Sequence, residues 1–136
     1  MSIDLSIKDR FIISLERCLA REGFIAKFYC RFLSQSASIR DRFAHTDMAL
    51  QSERLARSLR TLASAVAGEP AGLKELAERA DTHSRNKLNI TPDMYELWTA
   101  AIIAMAREYD PEWSTCIEEA WVHTVNVAVK YMISRA

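Results

Sequence analysis

Glycine and proline are scarce, three of each in 136 residues, and β-branched residues seldom alternate with polar ones. The punctuation and period-two patterning of a sheet are therefore missing, which leaves an all-α chain. An excess of charge is missing too: eighteen Lys and Arg balance eighteen Asp and Glu, for a formal net charge of zero. No overall field draws the chain to nucleic acid or an anionic membrane, so both partners are disfavoured. No stretch reaches the roughly 18 uninterrupted apolar residues of a membrane span, and the opening MSIDLSIKDR has neither the basic start nor the apolar run of a secretory leader. A cytoplasmic protein is expected. The three cysteines, Cys18, Cys30 and Cys116, are odd in number and lack CxxC spacing. They read as small buried hydrophobes of a reducing compartment rather than as zinc or redox ligands.

What the chain has is apolar residues at helical spacing. With 49% hydrophobic and 26% charged residues, residues 1–136 are the size of one domain that buries about two thirds of its unfolded surface. A first helix over about Ser6–Arg21 aligns Phe11, Ile12, Leu15, Cys18 and Leu19, and Gly23 suits its exit. A second, about Phe24–Leu33, turns Phe24, Phe28, Tyr29 and Phe32 one way, and SQSAS at 34–38 favours a turn before a brief helical piece at Ile39–Phe43. Thr46-Asp47 offers a cap for the longest helix, which runs to about Ala67 and is stopped by Gly68-Glu69-Pro70. Thr91-Pro92 opens a sixth helix, Asp110-Pro111 closes it, and a last helix covers about Ser114–Ser134.

Between them lies Leu73–Ile90, a short amphipathic helix apolar at Leu73, Leu76, Ala77 and Ala80 that gives way at His83 to a polar connector. Two readings of His83 stand side by side. Its imidazolium favours a solvated helix C-terminus, or its neutral ring is turned inward onto a metal.

FYCRFL at 28–33, IRDRF ending at Phe43 and DMALQSERL at 47–55 resemble the bacterial single-domain and sensor globins, and the Tyr29-to-Phe43 spacing is similar to theirs. LAERADTHSRNKLNITPDMYELW and REYDPEWSTCIEEAW are similar to one branch of the same family. The resemblance implies a globin fold of six to seven helices with a short third helix. It also implies a haem b pocket between the long fourth helix and the short helix ending at His83, with His83 as the proximal iron ligand. Phe43 then takes the place of the aromatic residue that stacks on the porphyrin, and Tyr29 and Gln51 line the gas side. The short Phe43-to-Gln51 spacing leaves Leu50 as an alternative to Gln51.

In that arrangement a phenol or amide donor strengthens binding of O2, which gains negative charge on ferrous iron, more than binding of CO. Leu55, one turn after Gln51, keeps the pocket dry. Arg54, Arg85, Lys87 and His45 are candidate cations for the haem propionates; His45 is also open as a second axial imidazole. Each has a plainer reading: Phe28, Phe32 and Phe43 as core aromatics, Tyr29 bonded to a carbonyl, Gln51 and the cations solvated.

The function implied is reversible binding of O2, CO or NO for gas sensing, binding or storage. No output domain is visible, so a separate signalling partner would be needed for sensing. NO dioxygenation is a second possibility and requires a separate reductase. A haem-free globin-fold interaction module is the reading from a different class. Trp98, Tyr109, Trp113, Trp121 and Tyr131 suggest a homodimer through the last two helices, should some of them form an exposed patch.

Overall fold

A computed structural model describes residues 6–82 and 91–134, and among these there are seven helices and no strand. They are α1 (Ile7–Leu19), α2 (Phe24–Ser34), α3 (Ala37–Arg42), α4 (Met48–Val66), α5 (Pro70–Thr82), α6 (Pro92–Tyr109) and α7 (Thr115–Ser134). Short polar side chains set the starts. Ser6, Ser36, Asp47 and Thr91 each accept a hydrogen bond from a first-turn N–H of α1, α3, α4 and α6. Pro92 follows Thr91 at the position where the missing N–H costs nothing.

The helices pack as two layers. α4 touches α1 and α5 in one, α6 touches α2 and α7 in the other, and α1–α7, α4–α7, α5–α7 and α2–α4 contacts join them. The core between the layers is made of the stripes read from the sequence, with Phe11, Leu15, Phe28, Leu59, Ile102 and Trp121 fully enclosed. Phe11 and Trp121 meet at 4.6 Å between ring centroids, tying α1 to α7.

One polar network crosses this core. The Trp121 Nε1–H donates to Ser14 Oγ at 2.8 Å, and the Ser14 hydroxyl donates to Asp110 Oδ2 at 2.6 Å. Arg17 adds a two-pronged contact, Nε to Oδ1 at 2.6 Å and Nη2 to Oδ2 at 2.9 Å, and the Glu112 N–H donates to Oδ1 at 2.8 Å. Burial, the largest single influence, pushes the Asp110 pKa up. Arg17, Ser14 and the Glu112 N–H together outweigh it and hold the carboxyl below its ordinary value.

Three expectations change. The fourth helix does end just before Gly68, but Pro70 is the first residue of α5 rather than part of the stop. Gly68, at φ +84°, lets its N–H reach the Ala65 carbonyl while the Glu69 N–H reaches Ser64, the paired bonds of a Schellman ending. α5 then starts with proline where proline is pre-organised. The helix begins three residues early, and its inner face carries Gly72 and Leu76, both buried, while Leu73 is 43% exposed.

Gly72 lies so close to α4 that a Cβ there would fall 2.5 Å from the Ala65 backbone nitrogen. The second change concerns cysteine: Cys18 is buried, but Cys30 and Cys116 are exposed. The third is the aromatic patch of the last two helices: Tyr109 and Trp121 are buried, and Trp98, Trp113 and Tyr131 are half-buried. None of the five is exposed, because each packs into or against the core.

Candidate functional site

Where α2, α3 and α4 meet α5, α6 and α7 the side chains leave a cleft of about 1000 Å³, its open mouth included. Tyr29 and Phe32 enter from α2, and Phe43 from the end of α3. Their rings brace one another: Phe43 lies 6.2 Å from Tyr29 and 6.1 Å edge-on from Phe32, and Phe28 stacks behind Phe32 at 5.7 Å. Phe28 also meets Trp98 of α6 edge-on at 6.0 Å, continuing the aromatic wall around the cleft.

α4 forms the opposite wall. Gln51, Arg54, Leu55, Ser58, Thr61 and Leu62 recur at three- and four-residue steps and line the cleft together, as one helical face must. Leu50 is turned about 100° from Gln51 by the helix period; it is 42% exposed and is not among the lining residues. Of the two candidates at this level, Gln51 is the one on the cleft. Glu75 and Leu76 of α5, Met94 and Tyr95 of α6 and Met132 of α7 also line it.

The polar groups are few and segregated. Burial pushes the Tyr29 phenol up to about 12, and the Gln51 side chain pulls weakly the other way by hydrogen bonding. Tyr29 is thus protonated at any physiological pH and available as a donor. Tyr95 is likewise pushed up to about 12 by burial. At the α5 end, the Thr61 hydroxyl contacts Glu75 Oε2 at 3.1 Å. Arg54 lines the cleft while remaining exposed, which puts its charge at the rim.

The residues named from the sequence fall into two groups. Tyr29, Phe43, Gln51, Arg54 and Leu55 share this cleft although they come from three separate segments. His83, Arg85 and Lys87 lie outside the described residues, as does the side chain of Ala80. His45 and His123 are exposed and do not line the cleft. Sequence reasoning missed Phe32, Met94, Tyr95 and Trp98 as cleft residues. Their helical spacing marks them as inward-facing, but an inward face looks the same whether it meets another helix or a space.

The contents of the cleft fit a large, flat, mostly apolar group with anionic substituents. Aromatic and aliphatic surfaces are available for its faces, Tyr29 and Gln51 for a polar ligand on one side, and Arg54 for a carboxylate at the edge. Helices packed in two layers around such a cleft define the class of globin-like proteins. The chain belongs to the globin family, whose sequence profile, described simply as Globin, matches residues 26–132. A crystal structure of a protein from Pseudomonas aeruginosa PAO1, described as structurally highly homologous to a human hemoglobin, is similar at a TM-score of 0.90. The two sequences are 31% identical over 96% of this chain and 98% of that one. No curated protein matches the sequence.

Proposed function

We propose that this globin holds haem b in the cleft and binds O2, and also CO or NO, reversibly, for gas sensing, binding or storage. The observation that carries the proposal is the convergence of Tyr29, Phe43, Gln51, Arg54 and Leu55 on one mostly apolar cleft in a chain of a family that binds haem. His83, next in the chain after the α5 terminus at Thr82, is the proposed iron ligand. Bound haem supplies an iron atom that takes up diatomic gases.

The chain's own residues then have distinct tasks. Phe43, fixed by Tyr29 and Phe32, gives a flat apolar face for the ring system. Tyr29 Oη donates to a gas that gains negative charge on binding, and keeps its proton because its pKa is about 12. The Gln51 amide, beside it on the cleft, is a second donor. Leu55 excludes water one turn further along α4. Arg54 pairs with a propionate at the rim, and Arg85 and Lys87 are proposed for the same task. Among the described residues no helix is long and apolar enough to cross a membrane, which supports a cytoplasmic setting.

Absorption spectroscopy after haem reconstitution tests the reading. A Soret band in the ferric, ferrous and CO forms is expected, with His83→Ala changing the ferrous and CO spectra. Tyr29→Phe removes a hydrogen bond to a charged acceptor worth about 1.5–3 kcal/mol, so O2 release quickens about ten- to a hundredfold while CO release changes far less. Absence of any Soret band would overturn the proposal in favour of a haem-free interaction module.

A further inference from the structure

The corner where α1 passes into α2 gathers positive groups that nothing acidic offsets. Gly23, at φ +94°, is the N-cap of α2 and has no side chain with which to cap it. α1, α3, α4 and α6 each begin under a hydroxyl or carboxylate cap. At α2, by contrast, the N–H groups of Phe24, Ile25 and Ala26 have no acceptor among the described residues, and the first turn holds no acidic residue. This helix start therefore keeps its partial positive charge.

Three side chains converge on the same corner. The Arg21 guanidinium carbon lies 5.2 Å, and the Lys27 ammonium 5.6 Å, from the centre of the Tyr109 ring. Neither cation has a carboxylate partner among the described residues, and Glu22, beside Gly23 and exposed, pairs with neither. An aromatic face attracts a cation, but two unpaired cations on one ring repel each other. The Tyr109 hydroxyl comes down over Gly23, where an added Cβ would lie 3.3 Å from it. Tyr109 is only 6% exposed, yet its hydroxyl makes no hydrogen bond to any described residue. Nor is that hydroxyl sealed in, because Thr124 Oγ1 is the one fully enclosed side-chain polar atom without a partner among them.

We propose that this corner binds a phosphate group, either inorganic phosphate or the terminal monoester of a small metabolite. Its oxygens accept from the first-turn N–H groups of α2 and from the Tyr109 hydroxyl, while Arg21 and Lys27 balance its charge. Arg21 Nη1 also donates to the Tyr109 carbonyl at 2.9 Å. That contact covers a carbonyl at the end of α6, whose partial negative charge would otherwise oppose an anion. The next residue, Asp110, has its charge matched by Arg17. Glycine at position 23 serves the site twice, since it leaves the N–H groups uncapped and lets the hydroxyl approach. None of Arg21, Gly23, Lys27 and Tyr109 lines the cleft, so the site stands whether or not the cleft holds haem.

The test is a titration of the full chain, haem-free and haem-loaded, with inorganic phosphate against chloride at matched ionic strength. Phosphate to about 20 mM, roughly twenty times a millimolar dissociation constant, is expected to raise the Tm saturably and to give a binding isotherm by calorimetry. Tyr109→Phe removes only the unpartnered hydroxyl, so it leaves the Tm in chloride unchanged and weakens phosphate binding about tenfold. Lys27→Gln, at an exposed position, weakens binding by about three- to tenfold, and Lys27→Arg retains it. A nucleoside monophosphate titrated alongside separates the two sources. An ester that binds no tighter than inorganic phosphate assigns the site to the free ion, and one that binds tighter assigns it to a metabolite. Absence of any saturable effect beyond that of chloride, or binding indifferent to both Tyr109→Phe and Lys27→Gln, would overturn the proposal.

Discussion

At the scale of the residue, Asp110 has the most consequential surroundings. Its carboxylate is enclosed, with 0% side-chain exposure, against Arg17, and its pKa lies below the ordinary value. In the unfolded chain the same group takes up a proton near pH 4. The folded state therefore gains stability from Asp110 at pH values above the unfolded pKa, and loses it as the pH falls through the folded one. Asp110→Asn keeps the shape but not the charge, so it should cost about 1.5–3 kcal/mol at pH 7. That deficit should shrink on acidification, because the variant has no carboxylate left to protonate. Urea midpoints of both proteins from pH 7 to pH 3 check this; a deficit constant with pH would count against it.

None of this network was visible in the sequence. Asp110 beside Pro111 reads there as a helix stop, and nothing in the chain's periodicity links it to Arg17 or Ser14, over 90 positions away.

At the scale of the element, periodicity conveyed most of the architecture. Helices α1, α2, α4, α6 and α7 begin and end within about two residues of the spans expected from their stripes and caps, within the ordinary fuzziness of helix ends. The cleft side of α4 was legible for the same reason: a residue that starts a stripe brings its i+3 and i+4 neighbours with it. α5 was harder, because proline signals both the end of one helix and the first turn of the next. Its buried face holds a glycine, which contributes no apolar side chain to a pattern.

The packing at Gly72 makes a test of that face. An added Cβ would meet the backbone at Ala65 and Ser64, which cannot turn away as a side chain can. Gly72→Ala should destabilise the protein by about 1–3 kcal/mol despite alanine's better helix propensity. Leu73→Ala, one residue along on the exposed face, should shift it by no more than about 0.5 kcal/mol. Thermal or urea unfolding of the two variants separates these outcomes, and equal effects would contradict the close contact.

At the scale of the whole molecule, the two layers hold the cleft open between them, and its faces are mostly apolar. A ligand that fills it buries surface from α2 to α7 at once, and stabilises the folded chain in proportion to its occupancy. Haem at about one hundred times its dissociation constant should add about 2.7 kcal/mol to stability. The accompanying rise in Tm, measured by calorimetry, should be smaller in His83→Ala. A rise undiminished by that substitution would remove His83 from the proposed set. The family was legible at this scale from the order and spacing of five short segments, each uninformative alone. The lining of the cleft was not, since it is assembled from six helices and depends on how far apart the layers stand.

The missing side chain at Gly72 also decides how α5 can move. With backbone set against backbone at that point, a tilt of α5 against α4 would pivot there. The contact is a fulcrum near one end of α5, and Thr82 stands about 15 Å away along the lever arm at 1.5 Å per residue. A tilt of a few degrees there becomes close to an ångström of travel at the far end, where the chain continues into His83.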